Sequence, residues 1–425
     1  MRTKRTGTFV ALGTCAAIIG GQLTAAAPAA ADTEAGNLRY DQWGLEAVEA
    51  AEAWEESRGS GVTVALLDTG VDDTHPDLAD TVTLGPDYTG QDLEPGDEHY
   101  GEHGTMMAGI IAANGHGKEH SGGVMGVAPE AGILSIRVAL EEDDPGRDDP
   151  EARAARSEAL AKGVRHAVDQ GAQVISMSIG DASGDYEGSE AEQEAIDYAE
   201  RSGVVVIASG GNGGAAGEPA YPAAYDGVLA VGSVDADLRV SEFSSLQDHI
   251  ALTAPGEEIA TTGPGGRYLN ATGTSAAAAF VTGVAALIRS AHPQLRPDQV
   301  VEALLAGAQP PAGAQTGGGY GAGVISAPEA LAAAGRTAED VPPFNPELAQ
   351  NGDDGLPVPA WTLWAGAAAL VLVLGAVGIV LLRRSMVNPY GLPEREEDRG
   401  PAAPRRGRRR ARGGGRRRLG GRRRR

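Results

Sequence analysis

Cysteine is nearly absent from this 425-residue sequence, which contains only Cys15. That residue lies in an N-terminal segment with the features of an export signal, namely basic residues near the start, a mostly apolar stretch at 8–24 and small residues at 29–31. LGTC, which ends at Cys15, resembles a lipid-attachment box, but the short apolar run before it favours a cleaved signal peptide at 1–31. The mature chain then has no cysteine, so disulfides are excluded and stability must come from the core.

Basic residues are scarce between positions 32 and 382, where 15 Lys and Arg stand against 54 Asp and Glu, a net charge of −39. Such a charge argues against nucleic-acid binding by this part of the chain. Residues 383–425 have the opposite character, with 17 arginines and four acids and a net charge of +13. We predict that this Arg- and Gly-rich segment is a disordered tail.

A long apolar run without charge covers 361–382, and its 22 residues match the length that a membrane-spanning helix needs. Trp361 and Trp364 lie at one end, and Arg383 and Arg384 follow the other. An aromatic anchor and a positive flank are typical of a transmembrane helix rather than of a buried core helix. We therefore expect one transmembrane helix, with the preceding domain outside the cell and the tail in the cytoplasm.

The chain before this helix is predicted to form one folded domain at 32–338, followed by a linker at 339–360 with five prolines. Short apolar runs without polar alternation predict strands covered on both faces. These runs are 61–68, 132–138, 173–179, 204–209 and 227–234. Helical spacing predicts helices at 151–170 and 187–202. Repeated strand–helix–strand units of this kind predict an α/β fold with three αβα layers and a mostly parallel central sheet.

Neither a Gly-x-Gly-x-x-Gly motif nor a phosphate loop follows the first strand, which argues against a non-hydrolytic ligand-binding domain. Reactive residues stand instead at three loop edges, where parallel sheets gather active groups. Asp68 ends the strand in LLDTG, His103 precedes Gly-Thr in GEHGT, and Ser275 follows Gly-Thr in ATGTS at the start of a predicted helix. A serine becomes nucleophilic when a base accepts its proton and a carboxylate orients that base, so these residues predict a catalytic triad.

A fourth loop, ASGGNGG, places Asn212 where its amide can donate to a developing oxyanion. The Asp-Thr-Gly, His-Gly-Thr, Gly-Asn and Gly-Thr-Ser motifs, in this order, resemble those of the subtilisin-like serine proteases, or subtilases, over about 42–327. The resemblance implies that Asp68 orients the base, His103 transfers the proton, Ser275 attacks the carbonyl, and Asn212 stabilises the oxyanion with the Ser275 N–H. It also implies a subtilisin-like fold and a serine endopeptidase acting on protein or peptide substrates.

The same resemblance assigns two walls of the substrate site. One wall matches Ser178, Ile179 and Gly180, and the opposite wall matches Ser209, Gly210 and Gly211. Ala220, opposite these walls by the same resemblance, implies a pocket that no bulky side chain closes.

No cofactor and no metal ligand are assigned from the sequence. Asp77 matches a calcium ligand of some subtilases, but the partner loop that those enzymes use is not evident, so calcium has no further support. His75 matches the family outside the triad and is expected to be structural. His99, His116 and His120 are expected to be solvated loop residues rather than metal ligands.

The order of signal peptide, protease domain, proline-rich linker and membrane helix resembles the mycosins, the membrane-anchored subtilases of actinobacterial type VII secretion. Mycosins generally carry a longer N-terminal extension and disulfides, and this sequence has neither. The resemblance implies a membrane-anchored, extracytoplasmic endopeptidase with proteins of a secretion machinery as candidate partners. The alternative is a structural scaffold of a secretion complex in which proteolysis is dispensable.

Overall fold

In the computed structural model, the described residues are 38–147, 150–179, 188–216, 219–312, 319–339, 341 and 379. The chain divides into two units, 1–344 and 345–425, and only position 379 of the second unit is described. The predicted signal peptide, membrane helix and tail therefore lie outside the described residues, apart from that position, as does the linker apart from 339 and 341.

The strands of the described residues carry the labels β1 to β13 in chain order. They are β1 Thr63–Asp68, β2 Val82–Asp87, β3 Asn114–His116, β4 Gly122–Met125, β5 Gly132–Arg137, β6 Val174–Met177, β7 Val205–Ser209, β8 Val228–Val234, β9 Ile250–Pro255, β10 Ile259–Gly263, β11 Arg267–Ala271, β12 Ala308–Gln309 and β13 Val324–Ile325.

The α-helices of the same residues carry the labels α1 to α8. They are α1 Trp43–Ala47, α2 Ala50–Ala53, α3 Glu102–Ala112, α4 Pro150–Asp169, α5 Glu190–Arg201, α6 Thr274–Ala291, α7 Pro297–Ala306 and α8 Ala327–Glu339. Short 3-10 turns connect some of these elements.

The central sheet has nine strands in the order β12-β13-β9-β8-β7-β6-β1-β5-β2. Every neighbouring pair is parallel except β12 and β13. All five predicted strands are present, as β1, β5, β6, β7 and β8. Strand β1 lies between β5 and β6, so a residue at the carboxyl end of β1 has the carboxyl ends of two parallel strands beside it. This is the edge at which α/β proteins place their ligands.

Helices cover both faces of the sheet. Successive residues of β1 point to opposite sides, so Val64 and Leu66 join one core cluster with α3 and α6, while Ala65 and Leu67 join a second cluster with α4 and α5. All four of these side chains are fully buried. The prediction of a three-layer αβα fold with a mostly parallel sheet is confirmed.

Among the described residues, α6 is the one helix that is long and apolar enough to cross a membrane. However, 83% of its apolar stretch is buried inside the protein. It packs against β6, β7, β8 and β9 of the central sheet. Every residue from Ala276 to Arg289 is buried, so the helix is buried on all sides rather than on one face. A helix that is apolar all round is a core helix.

Candidate active site

Asp68 and His103 form a hydrogen-bonded pair at the carboxyl end of β1. His103 stands in the first turn of α3, and its Nδ1 lies 2.7 Å from Oδ1 of Asp68. Asp68 is 1% exposed, and its Oδ1 also accepts the Thr69 N–H at 2.8 Å. The His103 side chain keeps 28% of its surface exposed. The carboxylate is therefore fixed inside the protein while the imidazole reaches the surface of the cleft.

The Gly-Thr that follows His103 ties α3 to the turn after β1. The Gly104 N–H donates to Oγ1 of Thr69 at 3.1 Å. The Thr105 hydroxyl donates to the Gly101 carbonyl and accepts the Asp72 N–H at 2.8 Å. The first of these bonds satisfies an N–H that the helix start leaves without a partner, and together the bonds connect α3 to the turn after β1. They set the position from which His103 extends.

Ser275 is the second residue of α6, beside the loop that follows β6. Its hydroxyl donates to the Ser178 carbonyl at 3.3 Å, and the Ser178 hydroxyl donates to the Ser275 carbonyl at 3.3 Å. Within the described residues, no hydrogen bond joins the Ser275 hydroxyl to His103. Contacts of this kind are often long or misaligned without substrate and tighten in the complex, so the Ser275 hydroxyl must exchange its bond to the Ser178 carbonyl for one to His103 before proton transfer.

Thr274 orients the side chain of Asn212. Oδ1 of Asn212 accepts both the Thr274 N–H and the Thr274 hydroxyl, each at 2.9 Å. Oγ1 of Thr274 in turn accepts the Gly211 N–H at 3.1 Å. With its oxygen held in this way, Asn212 has its amide N–H groups available as donors in the cleft that also contains Ser275.

A cleft of about 820 Å³ brings most of the predicted site residues together. Those that line it are His103, Ser178, Ile179, Ser209, Gly211, Asn212 and Ser275. Asp68 and Gly210 do not line the cleft, and Gly210 donates to the Val231 carbonyl at 2.8 Å in the wall behind it. Gly180 lies outside the described residues. Ala220 is 3% exposed and does not line the cleft either.

Carboxylates control the charge of the imidazole. Burial lowers the pKa of His103, but the charge and hydrogen bond of Asp68, with the charges of Glu141 and Glu142, outweigh it and raise that pKa above its ordinary value. Burial and the charge of Asp68 raise the pKa of Glu141, against hydrogen bonds from the Thr69 side chain and the His103 N–H. A neutral base held beside an ionised acid is the arrangement that activates a serine.

Sequence reasoning did not assign roles to Thr69, Thr274 and Glu141. The two threonines stand inside the Asp-Thr-Gly and Gly-Thr-Ser motifs, so their positions next to Asp68 and Ser275 were the available signal. Glu141 follows the apolar run of β5 much as Asp68 ends β1. Because neighbouring parallel strands end at one edge, acids after both strands could have been expected to meet.

The residues around Asp77 do not fit a calcium ion. Asp77 is fully buried, and its Oδ1 lies 2.6 Å from Nδ1 of His116. Its Oδ2 accepts the Val124 N–H at 2.8 Å. Calcium takes about six to eight oxygen ligands, whereas this carboxylate is bound by an imidazole, a backbone amide and the Tyr268 side chain. Among the described residues, no group of three or more His, Cys, Asp and Glu side chains is placed to hold a metal ion.

Four of the seven histidines outside the predicted triad, namely the four considered in the sequence analysis, occupy different environments. His75 is fully buried and accepts the Asp77 N–H at 3.1 Å, which suits a structural residue. The expectation that His116 is a solvated loop residue is wrong, because it binds the buried Asp77. His99 lies 3.1 Å from Asp143, and the hydrogen bond to that carboxylate raises the pKa of His99. The side chain of His120 is exposed.

Comparison with known proteins identifies the class. Residues 59–323 match the model of the Subtilase family, Peptidase S8. The chain is 38% identical over 301 residues to the major intracellular serine protease of Bacillus subtilis (strain 168), covering 68% of this chain and 89% of that protein. It is 39% identical over 249 residues to thermitase of Thermoactinomyces vulgaris, covering 59% of this chain and 82% of thermitase.

A solved structure gives the same result. The MycP3 protease from the type VII (ESX-3) secretion system matches with a TM-score of 0.57 and 32% identity, covering 68% of this chain and 87% of that one. The chain belongs to the subtilase family and is a subtilisin-like serine endopeptidase.

Proposed function

We propose that this protease cleaves peptide bonds with Asp68, His103 and Ser275 as its triad and Asn212 as an oxyanion donor. The observation that carries the proposal is the 2.7 Å contact between His103 Nδ1 and Asp68 Oδ1. His103 faces the cleft that Ser275 and Asn212 also line. No cofactor is part of this mechanism.

The chemistry proceeds through an acyl-enzyme. Nε2 of His103 takes the proton of the Ser275 hydroxyl as Oγ bonds to the substrate carbonyl carbon. The oxyanion accepts hydrogen bonds from the Asn212 amide and the Ser275 N–H. The carbon–nitrogen bond then breaks, and His103 passes its proton to the leaving amine. Water attacks the ester with the same base, which releases the acid product and restores the Ser275 hydroxyl.

Two stretches of backbone are proposed to hold the substrate chain. Ser178 and Ile179 line one side of the cleft and Ser209 and Gly211 the other, and the family resemblance adds Gly180 and Gly210 to these two stretches. Ser178 and Ser209 are both almost fully buried, so the polar groups offered to a peptide here are chiefly backbone groups. Backbone recognition of this kind accepts many sequences, and the pocket between the walls then selects among them.

We further propose that the enzyme is anchored in the cell membrane by 361–382, with its catalytic domain outside and its arginine-rich tail inside. The uncharged run and its flanking arginines support this orientation. Similarity to the MycP3 protease supports a link to type VII secretion. Protease added to intact spheroplasts should digest the catalytic domain and spare a C-terminal epitope tag. Loss of the tag without permeabilisation would show that the proposed orientation is wrong.

Single substitutions test the triad. Ser275→Ala, His103→Ala and Asp68→Ala should each lower peptide hydrolysis by about 10⁴- to 10⁶-fold, because a triad acts as a unit. Ser290→Ala is the matched control. Ser290 lies near the opposite end of the same helix, and its hydroxyl donates to the Ser60 carbonyl. A fluorophosphonate should label the wild type and Ser290→Ala but not Ser275→Ala. Ordinary turnover by Ser275→Ala would disprove the assignment.

A second comparison separates the protease from a scaffold. A strain with Ser275→Ala in the chromosomal copy should show the secretion defect of a full deletion if proteolysis is the cellular role. Normal secretion by this strain, with a defect in the deletion, would favour the scaffold instead.

A further inference from the structure

A second acidic side chain lies buried beside the Asp68–His103 pair. Glu141 follows β5, is 6% exposed and lines the cleft. Its Oε1 accepts the His103 N–H at 3.2 Å, and the Thr69 side chain also hydrogen-bonds to its carboxylate. The carboxylate therefore contacts the backbone of the base and the residue that follows the orienting acid.

This position is costly for a carboxylate. Two acids, Asp68 and Glu141, share one buried region, and burial with the charge of Asp68 raises the pKa of Glu141. A buried charge is tolerated when hydrogen bonds and opposite charge compensate for lost water. The His103 N–H and Thr69 supply those bonds, and a protonated His103 would supply the opposite charge.

Helix α3 explains why an acceptor is needed here. Its N-cap residue is Gly101, which offers no side chain to the first N–H groups of the helix. The His103 N–H is instead bound by Glu141, and the Gly104 N–H by Thr69. A carboxylate at a helix N-terminus also interacts favourably with the helix dipole.

We propose that Glu141 is a positioning residue for the base His103, an inference that rests on the proposed function. It holds the backbone of His103 at the start of α3, and its negative charge stabilises the imidazolium that forms when Ser275 loses its proton. Glu141 does not touch the reacting atoms, so it acts through His103.

The charges that face His103 are predominantly acidic. Asp68 acts from β1, and Glu141 and Glu142 act from the loop after β5. The neighbouring Glu102 pairs with Arg267 at 3.3 Å at the surface. The nearby cation on β5, Arg137, hydrogen-bonds to Asp87 at 2.8 Å and to the Thr69 carbonyl at 2.9 Å, so its charge is paired with that of Asp87.

The test compares Glu141→Gln and Glu141→Ala in the full-length enzyme. The second-order rate of fluorophosphonate labelling is measured across pH, because this reaction needs the same base but no knowledge of the natural substrate. Glu142→Gln is the matched control: Glu142 is the next residue and also faces His103, but it is exposed and is not the acceptor of the His103 N–H.

Glu141→Gln keeps an oxygen acceptor and removes the negative charge that favours protonated His103. The acid side of the curve of labelling rate against pH, which we call the acid limb, should therefore move down by about one pH unit. Its high-pH plateau should stay within about threefold of the wild type. Glu141→Ala also loses the acceptor, and its plateau should fall by about tenfold or more as His103 moves. Glu142→Gln should shift the limb less than Glu141→Gln.

Three results would overturn the proposal: an unshifted acid limb in Glu141→Gln, a plateau lost in Glu141→Gln without a shift, or an equal shift in Glu142→Gln. If Glu141→Ala fails to fold, the Glu141→Gln profile decides alone. Failure of the triad assignment is seen separately, because the wild type would then not label or Ser275→Ala would still label.

Discussion

Gly104 lies so close to Gly70 that a Cβ built on Gly104 would stand 1.9 Å from the Gly70 carbonyl oxygen. The same Cβ would lie 3.3 Å from the Cβ of Asp68. The glycine after His103 therefore allows α3 to reach the turn after β1, and that approach brings His103 onto Asp68. The requirement is one of space, since Gly104 does not need a left-handed backbone.

Gly104→Ala should consequently lower kcat/KM by about 10²-fold or more, because the start of α3 must shift and a displacement near 1 Å can cost that much. Fluorophosphonate labelling and peptide turnover measure the loss. Gly132→Ala is the control, since a Cβ there would meet its nearest atoms at 3.8 and 3.9 Å. Full activity in Gly104→Ala would show that the helix can adjust without cost.

Thr274 should matter to catalysis through Asn212. Asn212→Ala removes an oxyanion donor and should slow turnover by about 10²- to 10³-fold. Thr274→Val keeps the volume of the buried side chain and the N–H to Asn212 but removes the hydroxyl, so we expect a loss of about tenfold. The double variant should be no slower than Asn212→Ala alone, because both changes act on one donor. Additive losses would assign Thr274 a separate role.

Buried strands and glycine-rich loops made much of the fold predictable. The five predicted strands are covered on both faces, so they read as continuous apolar runs. Strand β2 escaped prediction because it lies at the sheet edge, where the exposed residues Thr83 and Leu84 interrupt burial and Gly85 and Pro86 break the pattern. Edge strands have one free side and need no apolar run.

The contacts that the sequence did not predict are those between distant segments. Glu141 meets His103 only because β5 lies beside β1, and no local pattern encodes that order of strands. Asp77 and His116 are 39 residues apart and meet through the short β3–β4 hairpin. The local motifs of Asp68, His103 and Ser275, by contrast, each lie at the end of a strand or helix that its hydrophobic pattern predicts.

Activity should require deprotonated His103, with a midpoint on the acid side above about 6.5, the ordinary value for histidine. Burial opposes the charged imidazole, but Asp68 and its neighbouring acids raise the pKa of His103 overall. The neutral fraction therefore falls as pH drops through this raised value, and the rate falls with it. A kcat/KM profile measures the midpoint, and Asp237→Asn, a change at an exposed distant acid, should leave it unchanged. A midpoint below about 6.5 would mean that burial outweighs the carboxylates.

Stability at Asp77 should depend on His116 rather than on calcium. His116→Ala leaves one oxygen of a fully buried carboxylate without its imidazole partner, which should lower the free energy of unfolding by roughly 1–3 kcal/mol. Urea unfolding of the full chain measures the loss, and His120→Asn is the control, because His120 is exposed and asparagine tolerates its positive φ. A calcium chelator should leave the wild-type midpoint unchanged. Calcium that stabilises the wild type but not Asp77→Asn would show that this site binds the ion after all.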